Sequence, residues 1–538
     1  MIPMTLAQIA AVIGGRLADA GDGSATVTGA VEFDSRVITP GDLFLALPGA
    51  RVDGHDHAAG AVAAGAIGVL AARPVGVPAI VVDPVPTDSR AMALESDTDG
   101  SGAAVLAALG RLARYVTDRL IEDGLTVVGV TGSAGKTSTK DLIAAVLRAE
   151  GPTVAPPGSM NNELGHPWTA LRADEKTRFL VLELSARHEG NIRDLTRIVA
   201  PRIGAVLNVG SAHLGEFGSR EAIARTKGEL VEALPAAADG GVAILNADDP
   251  LVAAMADRTA AAVVRVGRGA DADVRAEDVT VDESARAAFT LVADGRRVPV
   301  RLRVHGEHQV PNSLTAAAVG RACGLDLEVI AAALSAAEAA SIRRMAVATR
   351  ADGLTVVDDS YNANPESVAA ALKALATMVR TRRDAAASTS PDAGPTNPFA
   401  TDPFADDPFA DRPAGPRAWA VLGEMRELGD ESIREHDRIG RLVVRLDIDR
   451  LVVVGTDRPL RAMHQGAVME GSWGEESVLV PDAEAAIALL SSSVAPDDVV
   501  LVKASQSIGL WRVGEALLES TGSAGRGSTT SGGVDEGA

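Results

Sequence analysis

One short stretch limits the architectures open to this chain more than any other: VVGVTGSAGKTSTKD, residues 127–141. A β-branched run stops at glycine, a tight turn closes on Gly-Lys-Thr, and a helical pattern begins at once. Leu142, Ile143, Val146 and Leu147 fall on one face of that helix, and Gly151 is placed to end it. A glycine turn between strand and helix points backbone N–H groups at an anion, and the helix dipole adds to the attraction. The stretch therefore predicts a parallel α/β layer with a phosphate site on Gly132, Ser133, Ala134, Gly135, Lys136, Thr137 and Ser138. In such a turn the lysine reaches the terminal phosphates and the threonine hydroxyl sits on Mg²⁺. The turn is shorter than the general pattern, because Val130 stands where a glycine would.

The rest of the chain alternates β-branched runs with Ala/Leu-rich helical stretches, which implies further α/β layers. Three domains are expected, over 1–118, 119–340 and 341–520. The second carries apolar runs at 179–183, 204–208 and 242–246, and a hairpin turning at Asp294-Gly295. The third has strand candidates at 354–358, 417–422, 450–455 and 498–503. Residues 86–102 read as a flexible loop. Residues 382–416 are rich in Pro, Ala and Asp, with NPFA/DPFA units over 397–410. That insertion and the tail 521–538 bury too little apolar surface to offset chain entropy and are expected to be disordered. The NPFA/DPFA arm is either a solvated insertion or a protein-docking segment.

Charge and cysteine content narrow the function classes. The formal net charge is −21, from 51 Lys+Arg against 72 Asp+Glu, which argues against a broad nucleic-acid or anionic-membrane surface. The lone Cys323 excludes an internal disulfide framework and a multi-cysteine zinc site, and favours a reducing compartment. The N-terminus lacks a basic n-region and reads as a short helix ending at Gly14-Gly15, and the Ala-rich segment 57–72 is broken by glycines. No membrane span and a cytoplasmic location are expected.

Three further residues gain meaning only together. FLVLELS puts Glu183 at the carboxyl end of an apolar strand, AVLNVGSAHLGEFGS carries His213, and ARTKGEL carries Lys227. Singly they read as a strand-end acid, a solvated loop histidine and a surface lysine. With the shortened turn TGSAGKTST, they resemble the Mur ligase family, ATP-dependent enzymes that extend the peptide of the cell-wall precursor. The likeness covers nearly the whole chain apart from the insertion and the tail. It implies an α/β protein of three domains: a small N-terminal UDP-binding domain, a central P-loop domain with a doubly wound, mostly parallel sheet, and a C-terminal Rossmann-like ligase domain. It implies that Thr137, Glu183, His213 and a carbamylated Lys227 hold Mg²⁺, with Lys136 acting on the phosphates of ATP. Asn246 and Asn312 are implied near adenine, Arg344 at the ribose, and Asp359 and Asn362 in the third domain as nucleotide and substrate contacts. Asn161 and Asn162 are implied in the peptide or phosphoryl region, and Ser35 and Arg36 at the nucleotide end of the UDP-linked substrate.

DDSYNANPES (358–367), VLGEMRELGDESIREH (421–436) and SMNNELGHPWTALR (159–172) resemble one branch of that family. Its members join D-alanyl-D-alanine to UDP-N-acetylmuramoyl-tripeptide through an acyl phosphate, which implies those two small molecules as partners of a monomer. The chain departs from the family pattern at Gln309 where asparagine is usual, at Arg343 before Arg344, and at Ala504 and Gln506 beside the matching Lys503 and Ser505. Three alternatives stay open: a sibling ligase adding one amino acid, a P-loop kinase or GTPase, and a non-catalytic nucleotide-binding scaffold. No Asn-Lys-x-Asp string of the guanine-reading kind is present.

Overall fold

The computed structural model describes residues 1–49, 52–86, 97–389, 415–471 and 477–519. The NPFA/DPFA units, the tail 521–538 and most of the loop expected at 86–102 lie outside them. The chain forms two compact units. One comprises Met1–Val281, Arg286–Ile342 and Glu427–Asp430; the other comprises Asp282–Ala285, Arg343–Arg426 and the chain from Glu431 on.

The first unit is organised by a nine-stranded sheet. From one edge its strands are Thr153–Val154, Phe179–Glu183, Thr126–Thr131, Ile203–Val206, Val242–Asn246, Ala262–Gly267 and Val274–Val281, then Arg286–Ala293 and Arg296–His305. The first seven run parallel and the last two pairings are antiparallel. The closing hairpin turns where the sequence places it, with Asp294 and Gly295 both at positive φ (50° and 74°), as a two-residue turn requires. Register aligns Glu183 with Val130, and Val206 with Thr131. Three strands thus end side by side where chain direction switches about Thr126–Thr131, the place where open α/β sheets present ligands.

A five-stranded sheet near the N-terminus has the order Arg16–Ala18, Ala79–Val81, Gly68–Ala71, Leu43–Leu45, Val31–Glu32. It does not form a unit of its own. The helix Ser101–Glu122 runs through the boundary expected at 118 and is buried over most of its circumference, from Ala103 to Leu120. One apolar core therefore continues from Leu6, Ile9 and Leu70 through Leu109 and Leu112 to Val127 and Leu182. A helix buried over most of its circumference needs neighbours on more than one side. It joins the first two expected domains. Ahead of it, the Asp97 carboxylate accepts the N–H groups of Gly102 and Ala103 (3.1 and 2.9 Å), so the end of the expected loop is a helix cap.

The second unit holds a six-stranded sheet: Ala346–Thr349, Thr355–Asp358, Val499–Lys503, Ala418–Leu422, Arg450–Val454 and Ser477–Val480. All pairs are parallel except the first. The helix Pro365–Thr389 overruns the start of the insertion expected at 382. Arg382 donates to Thr355 Oγ1 (3.0 Å) and Arg383 to Asp449 Oδ2 (2.7 Å), so sheet contacts continue a helix that composition alone would end. Among the described residues, no helix is long and apolar enough to cross a membrane.

Candidate active site

The glycine turn follows Thr131, whose hydroxyl donates to Leu184 O at 2.9 Å. Gly135 closes the turn at φ +83°, and the helix starts at Lys136. A Cβ at Gly135 would lie 2.8 Å from Asn312 Oδ1, so glycine is required by both conformation and space. Asn208 takes two of the turn's amides: Ser133 N–H donates to its carbonyl (3.1 Å) and Ala134 N–H to its Oδ1 (2.9 Å). Its Nδ2 donates back to Ala134 O at 3.0 Å. Lys136 Nζ donates to Gly132 O (2.8 Å), folded over its own turn.

Beside the turn lies a buried carboxylate. Glu183 is 1% exposed and accepts from Thr137 Oγ1 (3.1 Å), Ser159 Oγ (2.9 Å) and Asn161 Nδ2 (2.7 Å). The structure thus brings Thr137, Glu183 and Asn161 together, and adds Ser159. Asn162 acts differently: its Oδ1 accepts Gly165 N–H at 2.9 Å and turns the chain into the short helix Gly165–Ala170.

Lys227, on the helix Arg220–Glu232, is buried at 4% exposure. It has no hydrogen-bond or ion-pair partner among the described residues. Burial, then the charge of Lys136, push its pKa well below the ordinary lysine value, so the amine is held toward its neutral form. His213 sits at positive φ (60°) ahead of the short helix Leu214–Phe217. Its Nδ1 lies 2.6 Å from Glu427 Oε2, and Glu427 Oε1 pairs with Arg187 Nη2 at 2.5 Å. His213, then Arg187, hold the Glu427 carboxyl below the usual range.

No group of three or more His, Cys, Asp or Glu side chains forms a ready metal cage among the described residues. The donors nonetheless suit a hard cation. The Thr137 hydroxyl and Glu183 carboxylate are adjacent oxygen ligands. The buried Lys227 amine lies close enough to Lys136, the residue before Thr137, to feel its charge.

Other implied contacts carry structural bonds. Asn246 donates to Leu207 O (2.8 Å) and accepts Asp248 N–H (3.1 Å). Asn312 donates to Gln309 Oε1 (2.9 Å), so the unusual glutamine orients the residue behind Gly135. Ser35 is half-buried. The Arg36 side chain is 86% exposed and forks onto Asp34, whose pKa falls to about 2 through those hydrogen bonds.

In the second unit, Asp359 accepts from the buried Lys503 Nζ (2.6 Å) and from Met345 N–H (3.1 Å). Lys503 also donates to Asn362 O at 2.8 Å, while Arg344 lies 4.3 Å over the Tyr361 ring. Ala504 is fully buried, the Ser505 hydroxyl accepts Arg426 N–H at 3.2 Å, and Gln506 opens a short 3₁₀ turn. Ser159, Asn208 and Glu427 were not singled out from the sequence. Asn208 had a faint signal, a polar residue just past a strand end; the other two meet their partners only through tertiary folding.

Comparison with known proteins follows the same outline. Family models described as Mur ligase family, catalytic domain; Mur ligase middle domain; and Mur ligase, glutamate ligase domain match residues 28–115, 130–320 and 405–506. The UDP-N-acetylmuramoyl-tripeptide–D-alanyl-D-alanine ligase of Mycobacterium tuberculosis is 57% identical, over 96% of this chain and 98% of that protein. The ligase of the same name from Escherichia coli is 32% identical, over 96% and 99%. Among solved structures, a MurF from Acinetobacter baumannii aligns with a TM-score of 0.75 at 27% identity, over 96% of this chain and 99% of that one. A Thermotoga maritima MurF ligase in complex with ADP aligns at 0.68 and 26%, over 92% and 98%.

Proposed function

The chain belongs to the Mur ligase family, and from that premise we propose that it joins D-alanyl-D-alanine to UDP-N-acetylmuramoyl-tripeptide with ATP, through an acyl phosphate. The observation that carries the reading is the buried group at the sheet's carboxyl edge. Glu183 is ringed by Thr137, Ser159 and Asn161 beside the glycine turn, and the buried Lys227, close enough to Lys136 to feel its charge, is pushed toward its neutral form. Identity of 57% along nearly the whole chain to a ligase of that name supports the substrate pair.

A carboxylate is a poor acyl donor in water, so it must be activated. The terminal carboxylate of the tripeptide attacks the γ-phosphorus of ATP and ADP leaves. The D-alanyl-D-alanine amine then attacks the acyl carbon, and phosphate leaves with the oxygen that had linked carbon to phosphorus. The turn Gly132–Ser138 orients the phosphates. Lys136 leaves Gly132 O for the γ-phosphate, where charge shifts during transfer. Thr137, Glu183, His213 and Lys227 would hold Mg²⁺, which when bound offsets charge on the transferring phosphoryl group. Only a neutral amine adds CO₂, and burial shifts Lys227 toward that form; a carbamate there would turn a would-be cation into an oxygen ligand. Asn161 and Asn162 flank the phosphoryl region, Ser35 and Arg36 serve the uridine end, and Asn246 and Asn312 serve the adenine end. Arg344, Asp359 and Asn362 are assigned to the ribose and dipeptide. ATP dependence and a single cysteine fit a cytoplasmic enzyme.

The test is phosphate release by the purified protein with ATP, Mg²⁺, the UDP-linked tripeptide and the dipeptide, each omitted in turn. Release that needs both acceptors, with a product heavier by one dipeptide less water, is expected. Faster turnover with a single amino acid would replace the reading with that of a sibling ligase.

A further inference from the structure

Residues 207–210 are bonded to their surroundings at every position. Leu207 donates to Thr131 O (3.0 Å) and its carbonyl accepts Asn246 Nδ2 (2.8 Å). Val209 donates to Asp249 Oδ2 (2.8 Å) and accepts from Arg220 Nη2 (2.6 Å). Gly210 donates to Ser133 Oγ at 2.9 Å. Asn208 is the centre of this strut, and its bonds run to the phosphate turn: carbonyl to Ser133, and both ends of the side-chain amide to the backbone of Ala134. An amide that both donates to and accepts from one residue imitates a strand pairing and fixes orientation as well as distance. Asparagine is the side chain that does this at such a reach. Aspartate lacks the donor, serine is too short, and glutamine is one methylene too long. The strut then leads directly to His213.

We infer that Asn208 is a positioning residue that ties the phosphate turn to the loop bearing His213, so that nucleotide and divalent cation are bound as a coupled pair. The inference rests on the proposed nucleotide and cation site. With the side-chain amide removed, Ala134 loses both of its bonds to the strut, Ser133 keeps the backbone bond to residue 208 and the Gly210 contact, and the loop bearing His213 is held to the turn less firmly. ATP binding and its dependence on Mg²⁺ should then deteriorate together.

The experiment is calorimetric titration of the full chain with ATP over a range of Mg²⁺ concentrations, alongside the ligand-free Tm, for wild type, Asn208→Ala and Asn208→Asp. For Asn208→Ala, ATP affinity should fall about tenfold and the Mg²⁺ needed for half-maximal binding should rise several-fold, with Tm changed by only a few degrees. Asn208→Asp keeps the shape, loses the donor and adds an anion beside the turn, so it should bind ATP at least as weakly. It also carries the test if the alanine variant does not fold.

Unchanged ATP affinity, weaker ATP binding at an unchanged Mg²⁺ requirement, or failure of both variants to fold would each overturn the inference. Absence of ligase turnover in the wild type would refute the proposed reaction instead, and the ATP and Mg²⁺ titration would still judge Asn208.

Discussion

Replacing Glu183 by glutamine separates what this residue does for the fold from what it does for the reaction. Its carboxylate is 1% exposed and accepts three hydrogen bonds, from Thr137, Ser159 and Asn161. In Glu183→Gln the amide oxygen can keep facing Ser159 and Asn161, which share Oε1, while the new NH₂ donates to the Thr137 hydroxyl. All three contacts survive, and the stability change should stay within about 1 kcal/mol. In Glu183→Ala at least two buried donors lose their acceptor, at ~1–3 kcal/mol each, so a loss of about 2–5 kcal/mol is expected. Catalysis should follow the charge and not the contacts. In the proposed reaction both variants remove a buried anion beside the transferring phosphoryl group, and kcat should fall on the order of 10²–10³-fold. Urea unfolding and steady-state phosphate release measure the two quantities side by side. A glutamine variant with more than a tenth of wild-type kcat, or one as unstable as the alanine variant, would refute the reasoning.

Three further outcomes follow from the same geometry. Gly135→Ala forces a side chain to φ +83° with its Cβ 2.8 Å from Asn312 Oδ1; strain of ~1–2 kcal/mol should weaken ATP binding about tenfold, and calorimetry showing wild-type affinity would count against the turn as the phosphate site. Asp498 is buried and accepts Arg417 N–H (2.8 Å), Ala495 N–H (2.9 Å) and Trp419 Nε1–H (3.0 Å), so Asp498→Ala should lose about 3–5 kcal/mol by urea unfolding, and a loss below ~1 kcal/mol would show those donors find other partners. His436 accepts Met425 N–H on Nε2 (3.0 Å), and burial pushes its pKa below the ordinary value. Its contribution is present above pH ~6.5 and is lost as pH falls below that, because the unfolded chain binds the proton first. Unfolding at pH 7.5 and 5.5 should show a smaller drop for His436→Phe than for wild type; equal drops would remove His436 as a source.

Much of the architecture was legible because local signals agreed with one another. Strand, glycine turn and helix at 126–148 follow from periodicity and from the need for φ > 0 at Gly135, and Asp294-Gly295 closes its hairpin for the same kind of reason. Two helix extents were not legible, because neighbours set them. The helix Ser101–Glu122 is gripped from both sides and runs on through 118. The helix Pro365–Thr389 extends past 382 because Arg382 and Arg383 find acceptors on the sheet.

At the site, Thr137 and Asn161 both hydrogen-bond to Glu183, and each of the three is named from a motif. The pairing of His213 with Glu427 crosses over two hundred positions of sequence and leaves no local trace. Asn246, Asn312 and Asp359 illustrate a different limit. A motif names the residue, but only coordinates reveal that its polar atoms already hold backbone or side-chain partners.

The central claim is that ATP activates the tripeptide as an acyl phosphate, and an isotope transfer tests it most directly. UDP-N-acetylmuramoyl-tripeptide carrying ¹⁸O in its terminal carboxylate would be turned over with ATP, Mg²⁺ and D-alanyl-D-alanine, and the released phosphate weighed by mass spectrometry. The account predicts one ¹⁸O in each phosphate, because the carboxylate oxygen that attacks phosphorus departs with it. Unlabelled phosphate alongside a completed peptide bond would contradict it.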